Sequence, residues 1–234
     1  MQKKLLFLSI VINLVLLLAF GILIRSLGGW RYVLHKAQHR GLGGTYVHKR
    51  EMYEQLPVPQ GSTVFLGNSI TEQCNWSELL GQPDIINRGI SGDITAGLLE
   101  RLTPITQGQP ARIFLMIGVN DLISQRPAAV VSNYRQIIQT IRQQAPATEL
   151  ILQSVLPVNN EVRKTGIQNA DILQLNTQIQ ELAEEFQLTY IDLHTIMQDE
   201  QGRLDAQLTS DGVHLNIKAY QRWKGAIFEP YFEQ

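Results

Sequence analysis

The apolar positions of this chain form one pattern near the N-terminus and a different pattern over the rest. Residues 5–24 are apolar except at Ser9, Asn13 and Gly21. About 20 such residues make a helix about 30 Å long, which matches the hydrocarbon core of a membrane. From residue 62 onward, short apolar runs alternate with longer segments of helical periodicity. The first pattern predicts a membrane anchor and the second predicts a folded α/β domain.

Five short apolar runs have the length and composition of buried β-strands. They lie at Thr63–Leu66, Ile85–Asn87, Arg112–Ile117, Glu149–Val155 and Thr189–Leu193. Helical patterns lie near Thr71–Leu80, Ile94–Leu102, Ala128–Gln144, Ala170–Phe186 and Asn216–Phe228. Regular alternation of strand and helix is typical of a parallel sheet with helices on both faces. We therefore predict a three-layer α/β/α domain whose five parallel strands take the flavodoxin-like order 2-1-3-4-5.

Breaker residues and composition divide the chain into three parts. Residues 1–27 are predicted to be the membrane anchor, with a cleaved signal peptide as the alternative. A signal peptide has a shorter apolar core and a small-residue cleavage site, so the anchor is favoured. Residues 28–60 are a basic, glycine-punctuated connector with a lead-in helix near Thr45–Leu56, and a proline-rich breaker follows at Pro57–Gly61. Residues 61–234 form the predicted α/β domain.

The net charge of −1 conceals an uneven distribution of charge. Residues 1–50 carry eight Lys/Arg and no Asp/Glu, whereas residues 51–234 carry 12 Lys/Arg against 21 Asp/Glu. A basic segment beside an apolar one predicts contact with anionic lipid headgroups. Nucleic acid is disfavoured as a partner, because the domain itself is acidic. Basic residues flank both ends of the apolar stretch, so the charge rule does not assign its orientation.

Thiol and imidazole groups outside the predicted site favour structural roles. The single cysteine, Cys74, excludes an internal disulfide and a cysteine-based zinc cluster, and a buried thiol is favoured over a nucleophile. His35, His39 and His48 lie in the basic region without an accompanying carboxylate, which favours solvated surface over a metal site. The sequence implies no metal or organic cofactor, and no feature of it indicates an oligomeric state.

Four short polar stretches occupy the positions where a parallel sheet builds its binding edge. They are Gly67–Ile70, Asn87–Asp93, Gly118–Asp121 and Ser210–Leu215. Because parallel strands all end on the same side, these stretches should meet where open α/β sheets bind ligands. The serine of the first stretch also lies at a helix N-terminus, where backbone N–H groups stabilise negative charge.

The side chains of these stretches suit acyl transfer. A serine hydroxyl needs a base within hydrogen-bond reach, which predicts Ser69 as the nucleophile and His214 as the base. Asp211, three residues earlier, is predicted to fix the imidazole tautomer and to stabilise the imidazolium. The predicted oxyanion donors are the backbone N–H groups of Ser69 and Gly92 and the side-chain amide of Asn120.

Each of these assignments has an alternative. Ser91 is a rival nucleophile, although it lacks the setting between a strand and a helix. Asp192 and His194 form a rival Asp/His pair at the spacing of one strand face. Gly92 also suits an ordinary turn, and Asn120 also suits a cap on the segment that follows it.

Taken together, the four stretches resemble the conserved blocks of SGNH (GDSL-type) esterases. The resemblance extends from about residue 48 to residue 230 and is strongest to the platelet-activating factor acetylhydrolase-like and carbohydrate acetylesterase-like branch. One departure is Asn68, where the namesake motif has Asp, and the expected roles need no charge there. The resemblance implies a serine esterase whose catalytic and oxyanion residues are Ser69, Gly92, Asn120, Asp211 and His214.

The resemblance and the polar loop Pro157–Gly166, which is expected to border the same edge, predict the substrate class. We expect a serine esterase that hydrolyses short acyl esters, mainly O-acetyl groups on a carbohydrate. A lysophospholipase or thioesterase at the membrane is the second hypothesis, and a non-catalytic glycan-binding protein is the third. Many relatives act outside the cytoplasm, so we expect the domain on the outer side of the membrane, or secreted if the N-terminal segment is cleaved.

Overall fold

The computed structural model describes residues 44–233 continuously and, before them, isolated helical positions at 9, 12, 13, 16, 17, 20 and 21. The chain divides into two compact units, residues 1–47 and residues 48–234. The predicted anchor over residues 5–24 falls largely outside the described residues and stays a prediction. Within the described part of the chain, no helix combines the length and hydropathy that a membrane span requires.

Five parallel strands form one sheet in the order β2-β1-β3-β4-β5, which confirms the predicted α/β class and strand order. The strands are β1 Thr63–Gly67, β2 Ile85–Gly89, β3 Arg112–Met116, β4 Glu149–Gln153 and β5 Thr189–Ile191. All of β1 is buried, as is every residue of β3 and β4 after the first. Such continuous burial indicates that both faces of the sheet are covered.

The helices alternate with the strands along the chain, as the sequence predicts. Their bounds are α1 Gly44–Gln55, α2 Ser69–Glu72, α3 Trp76–Leu80, α4 Thr95–Glu100, α5 Thr103–Thr106, α6 Pro127–Gln144, α7 Asn169–Glu185, α8 His194–Met197 and α9 Ile217–Phe232. A 3₁₀ turn at Asp121–Ile123 follows β3.

Two groups of helices pack as separate layers. The helix α6 packs against α7 and α4, and α3 packs against α9. In the second group, Phe65 of β1 stacks on Trp76 with ring centroids 4.0 Å apart, and Trp76 meets Trp223 edge-on at 4.8 Å. Aromatic pairs of this kind contribute about 0.5–1.5 kcal/mol beyond the burial of their area. The cluster therefore fixes the last helix, which follows the predicted base, against the strand that leads to the predicted nucleophile.

The prediction of one helix over Thr71–Leu80 is wrong, because the chain forms α2 and α3 with a break between them. The side chain of Asn87 accounts for the break. Its Nδ2 donates to the carbonyls of Thr71, Glu72 and Cys74 at 3.0, 3.2 and 2.9 Å. These are acceptors that a continuous helix would use for its own ladder.

Candidate active site

The carboxyl ends of three neighbouring strands form the edge at which the site is built. Gly67, the last residue of β1, pairs in register with Gly89 of β2 and with Met116 of β3. The loops that follow these strands therefore leave the sheet at the same edge. They carry the predicted nucleophile and both of the other predicted oxyanion donors.

Three side chains from two distant parts of the chain form a continuous line of hydrogen bonds at this edge. Ser69 begins α2, and its Oγ lies 2.9 Å from Nε2 of His214. The other ring nitrogen of His214, Nδ1, lies 2.8 Å from Oδ2 of Asp211. Ser69 and His214 are 145 positions apart in sequence. The arrangement is that of a hydroxyl nucleophile, a base and a carboxylate that orients the base.

Hydrogen bonds within the turn before His214 fix the carboxylate of Asp211. Its Oδ1 accepts the backbone N–H groups of Val213 and His214 at 3.0 and 2.8 Å. Burial acts to raise the pKa of Asp211, but hydrogen bonds from the His214 ring and from these backbone groups outweigh burial and lower the pKa to about 2. The ionised carboxylate keeps the imidazole proton on Nδ1, which leaves Nε2 free to accept the Ser69 hydroxyl proton.

The backbone N–H of Ser69, at the start of the short helix α2, is available to donate a hydrogen bond. Asn68 caps the helix, since its Oδ1 accepts the Ile70 N–H at 3.0 Å. Asn and Asp are equivalent N-caps, so the departure from the family motif at Asn68 keeps the cap. The Ser69 N–H has no acceptor among the residues that the structure describes. First-turn N–H groups lie outside the helical ladder and can bind an anion.

Glycine at two paired positions allows α2 to lie directly on the sheet. A Cβ on Gly89 would lie 2.3 Å from the backbone nitrogen of Glu72 and 2.8 Å from the Asn68 carbonyl oxygen. A Cβ on Gly67 would lie 2.3 Å from the Met116 carbonyl oxygen. Backbone atoms cannot move aside as a flexible side chain can, so a larger residue at either position would force neighbouring backbone to shift.

A tight turn after β2 presents the second predicted oxyanion donor. Residues Ile90–Asp93 form a four-residue turn, closed by the Asp93 N–H donating to the Ile90 carbonyl at 3.1 Å. Gly92 is its third residue and has φ +79°, which is the glycine position of a type II turn. Gly92 is exposed, and within residues 44–233 no group accepts its N–H.

The third predicted donor, Asn120, is oriented by that same turn. Its Nδ2 donates to the Asp93 carbonyl at 2.9 Å. The guanidinium of Arg101 supports the turn from the interior, donating to the Asp93 carboxylate at 2.7 Å and to the carbonyls of Arg88 and Gly67 at 2.9 and 3.0 Å. The side chains of Arg101 and Asp93 are only 3% and 0% exposed. One buried cation therefore connects β1 and β2 with the turn that carries Gly92.

A second buried carboxylate fixes the backbone beside Asn120. Asp121 accepts the Thr95 N–H at 3.1 Å and the Thr95 hydroxyl at 2.6 Å. Burial raises the pKa of Asp121 to about 6, with the bonds from Thr95 opposing this shift and the charge of Asp93 adding to it. These contacts tie the 3₁₀ turn after β3 to the first residue of α4.

The loop Pro157–Gly166 lies against the turn that carries the predicted acid. The Asn159 N–H donates to the Gly212 carbonyl at 2.8 Å. Arg163 places its Nη2 3.3 Å from Oδ2 of Asp211, and the Arg163 side chain is 54% exposed. The loop thus reaches the predicted edge and brings a solvent-facing guanidinium next to the carboxylate that orients His214.

The rival candidates differ from Ser69 and His214 in their surroundings. Ser91 is exposed and donates its hydroxyl to the carboxylate of Glu72 rather than to a histidine. The ring of His194 is buried, and its Nε2 has no hydrogen-bond partner among the described residues. Burial lowers the pKa of His194, and the charge of Asp192 opposes this shift. Burial raises the pKa of Cys74 to about 12, which leaves its thiol protonated and unreactive.

The histidines of the basic region make no metal site in the described part of the chain. Over residues 44–233 and the few earlier positions, no group of three His, Cys, Asp or Glu is placed to hold a metal ion. His48 is exposed, whereas His35 and His39 lie outside the described residues.

Known proteins match this chain in sequence and in fold. The GDSL-like Lipase/Acylhydrolase family profile matches residues 65–222. A Streptococcus pneumonia protein, provisionally described as a platelet activating factor, is 30% identical, with 85% of this chain and 98% of that chain covered at a TM-score of 0.76. A lipase/acylhydrolase from Enterococcus faecalis is 23% identical and has the same fold, with 72% and 94% covered at a TM-score of 0.62.

A further similarity is to part of a longer protein. N-acylneuraminate cytidylyltransferases from Streptococcus agalactiae are 25% identical over 174 residues, which is 74% of this chain and 39% of theirs. This chain therefore spans less than half the length of the curated relatives it matches.

Proposed function

We propose that this chain, which belongs to the GDSL-like Lipase/Acylhydrolase family and is a carboxylic ester hydrolase, cleaves short acyl esters by a serine mechanism. In this proposal Ser69 is the nucleophile, His214 the general base and Asp211 the carboxylate that orients it. The observation that carries the proposal is the line of hydrogen bonds from Ser69 Oγ through His214 to Asp211.

The proposed reaction has two halves that use the same groups. As Ser69 Oγ attacks the ester carbonyl carbon, its proton passes to His214 Nε2, and the ionised Asp211 stabilises the imidazolium. Nε2 then protonates the leaving alcohol, which departs and leaves an acyl-serine. A water molecule deprotonated by the same nitrogen attacks the acyl-serine, and the carboxylic acid is released as the Ser69 hydroxyl is restored.

The negative oxygen formed in each half needs fixed donors. We assign the N–H groups of Ser69 and Gly92 and the Nδ2 of Asn120 to this role. In support, both N–H groups lack acceptors among the described residues, and the Asn120 amide is held by the Asp93 carbonyl. Loss of one such donor typically slows an enzyme by about 10²–10³.

A carbohydrate bearing O-acetyl groups is the proposed substrate. The loop beside the site is polar and exposes Arg163 and Lys164, which suits hydrogen bonding to sugar hydroxyls better than contact with a long acyl chain. The curated relatives are named for N-acylneuraminate, an acylated sugar acid, so a similar domain occurs within proteins that handle such sugars.

The test combines one substitution with a panel of acyl esters. Ser69→Ala should lower turnover of p-nitrophenyl acetate by at least about 10³-fold and should abolish labelling by a fluorophosphonate. Ser132→Ala, an exposed serine on α6, is the matched control and should behave as wild type. Full labelling of Ser69→Ala would remove Ser69 from its role.

The same panel separates the proposed acetylesterase from a lysophospholipase or thioesterase. On p-nitrophenyl esters from acetate to palmitate, a short-acyl pocket should show a steep fall in kcat/KM beyond about four carbons. A rate that rises with chain length would favour the lipid hypothesis.

We also propose, from the sequence alone, that residues 5–24 anchor the chain in a membrane and that the hydrolase domain lies on the outer side. The support is the apolar length of the segment and the aromatic residues Trp30 and Tyr32 close to its end. Release of the full chain from membranes by alkaline carbonate would contradict the anchor, and protection of the domain from protease in intact cells would contradict the outer location.

A further inference from the structure

The carboxylate of Glu72 links three elements that the mechanism above does not connect. Glu72 ends α2, the one-turn helix that Ser69 begins. Its Oε2 accepts the Ser91 hydroxyl of the turn after β2, and its Oε1 pairs with Nζ of Lys49 on α1. The side chains of Glu72 and Lys49 are partly buried, with 14% and 26% of their surfaces exposed.

The position of Glu72 relates the two backbone donors of the site to each other. The Ser69 N–H is at the start of α2, and the Gly92 N–H belongs to the residue after Ser91. A bond between the end of α2 and Ser91 therefore fixes how far apart these two N–H groups lie. Arg101 binds the same turn in the protein interior through Asp93, so the turn is fixed at both Ser91 and Asp93.

We propose that Glu72 is a positioning residue for the oxyanion hole, which holds the Gly92 peptide at the spacing from the Ser69 N–H that a tetrahedral oxyanion needs. Lys49 contributes to this positioning by binding the second oxygen of the Glu72 carboxylate. This inference rests on the proposed serine esterase function and adds a residue that acts through Ser91 rather than on the substrate.

A charged acceptor is suited to this task. Hydrogen bonds to an ionised carboxylate are about twice as strong as those between neutral groups. Burial acts to raise the pKa of Glu72, but the hydrogen bonds from Lys49 and Ser91 outweigh it and lower the pKa. An ion pair near the surface contributes little to stability, so loss of the carboxylate should affect the rate more than the fold.

The experiment compares Glu72→Gln, Ser91→Ala and the double variant in the full-length chain. Glu149→Gln is the matched control, because it also removes a carboxylate paired with a cation, Arg112, but at the opposite edge of the sheet. With p-nitrophenyl acetate, each single variant should lose about 10-fold in kcat, less than the loss of a whole donor. KM should stay within about twofold of wild type.

Two further measurements distinguish positioning from a general structural effect. Affinity for an alkyl boronic acid, which forms a tetrahedral adduct on serine, should fall in Glu72→Gln and Ser91→Ala by the same factor as kcat. The double variant should be no slower than either single variant, because both substitutions break the same link. The control should keep wild-type kcat and boronate affinity.

The outcomes separate this inference from the function on which it rests. Activity that persists in Ser69→Ala would overturn the esterase mechanism itself. If activity depends on Ser69, then wild-type kcat and boronate affinity in Ser91→Ala would overturn the role of Glu72. Multiplying losses in the double variant, or a rise in KM alone, would also overturn it. Ser91 is exposed and its substitution to Ala is small, so this variant decides the matter even if Glu72→Gln does not fold.

Discussion

Replacing Arg101 by Met should show how much of the free energy of unfolding depends on one buried cation. Arg101 donates to the Asp93 carboxylate and to two main-chain carbonyls, and both side chains of the ion pair are almost fully buried. Removing one partner of such a pair typically costs about 3–5 kcal/mol, because the remaining charge stays in a medium that solvates it poorly. In a domain of this size the midpoint of thermal unfolding should fall by about 6–20 °C.

The assay is urea unfolding followed by the fluorescence of Trp76 and Trp223, which lie in the core. The cause of the loss can be isolated by adding Asp93→Asn, which removes the buried charge that Arg101 compensates. The double variant Arg101→Met/Asp93→Asn should be more stable than Arg101→Met alone. A loss below about 1 kcal/mol in Arg101→Met, or a double variant that is less stable by the sum of both losses, would refute the reasoning.

Two further predictions concern the acid of the site and the contact beneath α2. Asp211→Asn should lower kcat for p-nitrophenyl acetate at neutral pH by about 10⁴, because an amide does not hold the imidazole proton on Nδ1. The pKa of Asp211 is about 2, below its ordinary 3.8, so the carboxylate stabilises the fold above about pH 4 and this contribution is lost as the pH falls towards 2. The difference in unfolding free energy between wild type and Asp211→Asn should therefore close over that range, and a constant difference in urea titrations would contradict the assignment. Gly89→Ala should destabilise the fold by about 1–3 kcal/mol, since its Cβ would meet the Glu72 backbone nitrogen at 2.3 Å. Gly225→Ala is its control, because a Cβ there meets nothing within 4 Å in α9 and should add about 0.5–1 kcal/mol of stability.

The elements that could be predicted from the sequence are those specified by local pattern. Burial on both faces makes each strand a short apolar run, and the parallel order then places the loops after β1, β2 and β3 at one edge. Ser69, Gly92 and His214 each lie in a short polar stretch at such an edge, so they could be found by reading along the chain. Their catalytic roles remain proposals that the substitutions above would test.

The contacts that support the site could not be predicted in this way, because they join positions far apart in sequence. Arg101 follows a helical segment, where an arginine ordinarily faces solvent, and its buried bonds depend on how three loops meet. The break between α2 and α3 is set by Asn87, a side chain from the next strand, rather than by any breaker within the segment. Glu72 likewise has the sequence pattern of a surface residue on a helix, and its contact with Ser91 depends on how two separate segments pack.

The distance along the chain between Ser69 and His214 has a consequence for synthesis. The ribosome adds about 5–20 residues per second, so the 145 positions between them take roughly 7–30 s to translate. A serine hydroxyl without a base is a poor nucleophile, so under the proposed mechanism Ser69 stays unreactive in the growing chain until His214 has been made. The Tyr220 hydroxyl also reaches back from α9 to the Ile70 carbonyl at 2.7 Å. Docking of this helix beside the first strand thus brings the proposed base to the proposed nucleophile only after the whole segment between them has been made.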